Sequence, residues 1–127
     1  MNRYDPLKGP DPKSWTAMDE AERLLLIERF HKKAGIRLPN RRLHAVIHGI
    51  VESQVAMGNA TPAAATLRRL MTEGLDRHEA IHAIGSVLAE HMQDLLAKRV
   101  AADPNEAYYR CLNELTAEQW KDMGEEE

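Results

Sequence analysis

Six histidines stand in the chain, and four of them fall into two pairs of the form H-x-x-x-H: His44 with His48, and His78 with His82. On a helix, residues i and i+4 differ by about 40° around the axis, so both imidazoles of a pair leave the same face and can hold one ion. The surroundings repeat as well. His44-Ala45-Val46-Ile47-His48-Gly49-Ile50 and His78-Glu79-Ala80-Ile81-His82-Ala83-Ile84 share the string H-x-x-I-H-x-I, 34 positions apart. Carboxylates extend these faces: Glu52 follows His48 by one turn, Glu79 adjoins His78, and Glu90 lies two turns beyond His82. A shell of imidazoles and carboxylates suits a first-row transition metal, zinc or iron foremost, whereas calcium and magnesium prefer oxygen alone. The expected ligands are therefore His44, His48, His78 and His82, with Glu52 and Glu90 as further donors. His31 and His91 lack this context and are read as structural, His31 as a cation in the last turn of a helix, where the macrodipole favours it. The plainer alternative, histidines that merely repeat on a surface or in a core, has to accept two in-phase pairs with acidic neighbours as coincidence.

His78-Glu79-Ala80-Ile81-His82 is also a literal H-E-x-x-H, the string in which a glutamate activates metal-bound water, which makes Glu79 the candidate catalytic base. With Gly85 it extends to H-E-x-x-H-x-x-G, but the third histidine of the metzincin pattern would fall at position 88, which is Leu88. No strand signal exists to bind an extended peptide, so a peptidase is disfavoured and Glu79 reads rather as a metal ligand, a residue that positions one, or a solvated helix residue. The competing reading from another class is a helix-turn-helix: a helix through Arg68 and Arg69, a turn at Glu73-Gly74-Leu75, and a helix from Arg77. Those arginines could touch phosphates, but Glu73, Asp76, Glu79 and Glu90 crowd the would-be reading helix, so nucleic acid is disfavoured as a partner. Cys111 has no histidine beside it in sequence and reads as a partly buried thiol rather than a nucleophile.

These residues need helices to position them, and the chain supplies helix signals throughout. Pro6, Pro10 and Pro12 with Gly9 disfavour regular helix over residues 1–15, which read as an extended arm pinned by Tyr4 or Trp15. Leu24, Leu25, Ile27 and Phe30 mark a helix over about 17–34, closed by Gly35. Pro39-Asn40 supplies a stop and a cap, after which Leu43, Ile47, Ile50 and Val51 recur at helical spacing until Gly58. Thr61-Pro62 opens a short helix through Leu67, Leu70 and Met71 that ends at Gly74, and Asp76 caps a long one over about 77–98 with the stripe Ile81, Ile84, Leu88, Met92 and Leu95. Asp103-Pro104 and Thr116 open short helices at 104–114 and 117–123, and residues 124–127 form an acidic tail expected to fray. If the second and fourth helices pack together, Gly49, Gly85 and Ala89 allow a close approach and the two His pairs meet across one seam.

With 127 residues the chain is expected to form one domain over 16–123, with the site inside 40–98. Four main helices, short C-terminal helices and no period-2 alternation predict an all-α compact bundle. Lys and Arg number 17 against 20 acidic residues, so no overall basic excess marks a nucleic-acid binder. One cysteine excludes an intrachain disulfide, and no apolar run approaches the roughly 20 residues of a membrane span, so a cytoplasmic, bacterial-type protein without a membrane partner is expected, a homo-oligomer being left open. The spacing resembles that of a bacterial domain family of unknown function with the motifs L-H-x-x-x-H-x-x-x-E-x-Q and H-E-A-x-H followed by L-x-E. Leu43, His44, His48, Glu52 and Gln54 carry the first; His78, Glu79, Ala80, His82, Leu88 and Glu90 carry the second. The resemblance covers about residues 40–98 and implies a compact helical domain whose histidines and acids form one site, with no reaction attached. Ser86 stands where some members carry an acidic residue. Whether the ion serves a metal-dependent hydrolase or oxidoreductase, or only staples two helices, turns on whether one coordination position stays open.

Overall fold

The computed structural model describes residues 3–33, 41–97 and 104–125, and over these the chain is all helix and turn, with no strand. Seven helices follow in order: α1 (Pro12–Ala17), α2 (Glu20–Lys33), α3 (Arg41–Ala56), α4 (Ala63–Thr72), α5 (Arg77–Leu96), α6 (Pro104–Glu114) and α7 (Ala117–Glu125), with a 3-10 turn at Gly58–Ala60 between α3 and α4. None is long and apolar enough to cross a membrane. The stops and caps expected at Gly35, Pro39, Asn40 and Asp103 lie outside the described residues.

Local chemistry accounts for the boundaries. Asp76 accepts the Glu79 amide at 2.8 Å and starts α5 where the sequence places it. Thr116 and Gln119 exchange side-chain-to-backbone bonds of 3.1 and 3.3 Å, a capping box that opens α7. Gly74, at φ +111°, ends α4 in a conformation that a side chain would resist. Among its described residues the arm expected to be extended over 1–15 is not: residues 6–8 turn, with the Gly9 amide on the Asp5 carbonyl at 2.9 Å. Asp11 accepts the Ser14 amide at 3.0 Å and Pro12 takes the first helical turn, where its missing N–H costs nothing, so residues 12–17 coil into α1. α2 accordingly begins at Glu20, capped by Asp19 at 2.8 Å, rather than at 17, and α7 continues through Glu125 into the tail expected to fray.

Two apolar clusters flank α3. One gathers Leu67 and Leu70 of α4, Ile81, Ile84 and Leu88 of α5, and Tyr108 and Leu112 of α6 around Val51. Burying each of these large aliphatic side chains is worth about 1.5–3 kcal/mol, which makes this cluster the main stabilising core. The other joins Tyr4 and Trp15 to Leu26 and Ile27 of α2 and Ala45 of α3. Trp15, fully buried, donates its indole N–H to Ser53 at 3.1 Å and so fixes α1 on α3. α3 and α5 pack side by side as expected: a Cβ added at Gly85 would stand 3.1 Å from Ile47 Cγ2, closer than ordinary van der Waals contact.

Candidate metal centre

His31, His48, His78 and His82 bring one ring nitrogen each to within 4.8 Å of one another, and no carboxylate or thiolate joins this group among the described residues. α2 supplies His31, α3 supplies His48, and the first two turns of α5 supply His78 and His82. The Nε2 atoms of His48, His78 and His82 are buried and have no hydrogen-bond partner. Three orphaned polar atoms on rings whose centroids lie 4.3, 5.3 and 5.4 Å apart are costly in a folded protein unless a ligand meets them. In a tetrahedral site with nitrogen–metal bonds of about 2.0–2.1 Å the nitrogens stand about 3.4 Å apart, so closing this group on an ion asks for side-chain shifts of about an ångström. The four ring nitrogens form a group that could hold a metal ion.

The hydrogen bonds behind two of the rings determine which nitrogen faces inward. His31 Nδ1 lies 2.8 Å from the Ile27 carbonyl, so it carries the proton and Nε2 presents a lone pair. His48 Nδ1 lies 3.3 Å from the Tyr4 hydroxyl oxygen. Tyr4 has a single proton and gives it to Glu52, so the Tyr4 oxygen accepts from His48 Nδ1–H and Nε2 of His48 is again the lone pair. Such outer bonds lock the ring and raise its basicity as a ligand. Glu52, 1% exposed, is held from its other side by Arg77, whose two terminal nitrogens reach its two oxygens at 2.7 and 2.8 Å. Arg77 also donates to the Pro6 carbonyl at 2.8 Å, and a Cβ on Gly9 would stand 2.6 Å from its guanidinium carbon. The N-terminal segment therefore closes over the back of the site.

Crowded imidazoles in a dry space resist protonation. Burial, followed by the neighbouring rings, lowers His82 to about 3 and His44 to about 4, and pushes His48 well below its ordinary value of 6.5. His78 is lowered by burial and by His31, with Asp76, Glu79 and Glu52 opposing. The Tyr4 hydroxyl is raised by burial and by the Glu52 charge, and stays protonated. Neutral imidazole is the metal-binding form.

Three of the four converging residues, His48, His78 and His82, are among those the spacing singles out; the rest of the expected set is redistributed. His44 sits at the edge of the group, half-buried, with its Nε2 3.2 Å from His31 Nε2. Because His31 presents a lone pair there, His44 donates, and it competes with an ion for that lone pair. Glu52 is not a direct donor, since Arg77 and Tyr4 occupy its oxygens; it acts on His48 through Tyr4. Glu90 is exposed and lies about 12 Å along α5 from His82, on the wall of a different groove. Glu79 is exposed and accepts the Trp120 indole N–H at 2.8 Å, which turns the carboxylate towards α7 and away from a base role. His91 stacks on Tyr108 with ring centroids 5.2 Å apart, in keeping with a structural role, whereas Cys111 is exposed rather than partly buried.

His31 is the residue that sequence reasoning misplaced. A helix-end cation would face water, but His31 is 2% exposed. The available signal was its register: Leu24, Ile27 and His31 fall at i, i+3 and i+7, which puts the imidazole on the inward stripe of α2. Tyr4 and Arg77 had no such signal as parts of the site, because their partners lie 48 and 25 residues away. Of the three arginines that a helix-turn-helix would use, Arg77 is committed to Glu52, and Arg69 bonds the Leu112 and Leu115 carbonyls at 3.0 and 2.6 Å. Comparison with family models, with curated proteins and with solved structures finds no match to this chain.

Proposed function

We propose that the chain binds one divalent first-row transition-metal ion, zinc or iron, through His31, His48, His78 and His82. The observation that carries this reading is the convergence of one ring nitrogen from each of four histidines, three of which have a buried Nε2 without a partner, while His31 is tied outward through Nδ1. Imidazole suits zinc and iron(II) alike, and the lack of thiolate or carboxylate in the group separates it from the sulfur-rich structural zinc sites and from oxygen-rich calcium sites. The chemistry that such an ion brings is Lewis-acid activation for zinc and oxidoreduction for iron, so a metal-dependent hydrolase or oxidoreductase is the activity class to assay. The histidine motifs that resemble those of a bacterial helical family support membership of it as part of the same proposal, and the exposed lone Cys111 accords with a reducing cytoplasm.

Elemental mass spectrometry on untagged protein tests the reading. Near-stoichiometric zinc or iron is expected in the purified or reconstituted protein and should fall sharply in His31→Ala, His48→Ala and His82→Ala, but not in His91→Ala. A chelator should lower the melting temperature of the parent, because an ion that binds only the folded state stabilises it. Equal metal content in all four variants would sink the site.

A further inference from the structure

The four-histidine group does not lie sealed in the core. A cavity of about 250 Å³ opens beside it, with His44, His48 and His82 on one wall and Ile47, Ile81 and Trp120 among the others. Two of these histidines offer the orphaned Nε2 atoms of the proposed centre, so the cavity ends at the place an ion would occupy. Its remaining lining is Gly85, Ser86 and Ala89, and no acidic, lysine or arginine side chain takes part. Glu79 holds the Trp120 wall in place through the indole N–H.

Resting on the metal reading above, we infer that the ion, held by four imidazoles, expands to a fifth coordination position facing this cavity and that the position takes a small carboxylate with a short apolar tail. Three physical points support the class. Four neutral imidazoles leave the full double charge on the ion, so an anion is favoured over a cation as the added ligand. The cavity carries no charge of its own to repel or pair with that anion, and its aliphatic and indole walls suit a hydrocarbon tail. The volume falls just below the roughly 300–1,000 Å³ of pockets for drug-sized ligands, which limits the occupant to a small molecule. The step is a ligand exchange, in which the carboxylate displaces a coordinated water and no bond within it changes.

Cobalt(II) reports ligand exchange through its visible bands and serves as the probe metal. The 127-residue chain loaded with cobalt is titrated with butyrate, azide and butylammonium. Saturable band shifts with butyrate and azide, and none with butylammonium, are expected. In Ala89→Phe, which fills the cavity from a partly exposed helix position, butyrate affinity should fall by about tenfold or more while azide affinity and cobalt stoichiometry hold. Ser86→Leu, a smaller intrusion on the same wall, should give the same ranking if Ala89→Phe does not fold. Cobalt binding without any anion response overturns the open position and leaves the metal reading intact. A response to azide with none to butyrate, or butyrate affinity unchanged from the parent in both cavity variants, overturns the assignment of the cavity. Failure to bind cobalt, zinc or iron overturns the metal reading and this inference with it.

Discussion

α3 and α5 present the same H-x-x-I-H-x-I string to one seam, yet the fold treats the two copies differently. On α5 both histidines, His78 and His82, join the converging group; on α3 only His48 does, while His44 hydrogen-bonds His31 at the margin. The position one turn after each pair differs in kind. On α3 it is Glu52, buried and tied to Arg77 and Tyr4; on α5 it is Ser86, which returns its hydroxyl to the Ala83 carbonyl at 2.9 Å and lines a cavity. One side of the centre is thus braced by an internal charge network and the other opens on space. The lesson is that a spacing motif selects which residues share a face, whereas the partners behind each ring decide whether it is held as a ligand and which side of the ion is walled.

The largest expected effect breaks the braced side. Glu52→Gln leaves Arg77 buried without its counter-charge and should cost about 3–5 kcal/mol in urea denaturation of the metal-free protein. Ser86→Ala, the matching position on α5, should cost less than about 1 kcal/mol, because it removes one local hydroxyl bond in a half-buried place. Equal costs would mean that the two sides are energetically alike. A smaller effect sharpens the role of the brace. Tyr4→Phe keeps the ring that packs edge-on against Phe30 but removes the acceptor of His48 Nδ1–H, so metal affinity should fall about 10–100-fold, more than apo stability changes. An affinity change no larger than the stability change would assign Tyr4 to packing alone.

The gentlest test is pH. In the metal-free protein His82 is lowered to about 3 and His44 to about 4 from 6.5, so below pH 6.5 the unfolded chain takes up protons that the folded one refuses. Stability should be full above 6.5, decline through the window down to about 4 and level off near 3, a loss read as a falling melting temperature beyond that from surface carboxylates. The double variant His44→Gln/His82→Gln should make that window shallower, His48 and His78 carrying the remainder; an unchanged slope would show that the two rings do not carry it.

Most of the secondary structure was legible in the sequence because local chemistry sets it. Asp76, Thr116 and Gly74 act within their own turns, and the stripe Ile81, Ile84, Leu88 names the inward face of α5 without reference to anything distant. The exception, α1, turned on a proline counted as a breaker that in fact sits in a first turn, where its ring suits the helix. The seam of two His pairs was legible for the same reason, as two local periodicities that a bundle can align.

What tertiary structure alone decided is the identity of the shell. That Arg77 would claim Glu52, that Tyr4 would cross 44 residues to back His48, and that His31 would supply the fourth nitrogen all depend on how α2 and the N-terminal segment lie over the α3–α5 seam. Periodicity fixes an azimuth on one helix; a coordination group needs distances between helices, and those follow from the packing of side chains far apart in the chain, such as Ile47 against Gly85 and Trp15 against Ser53.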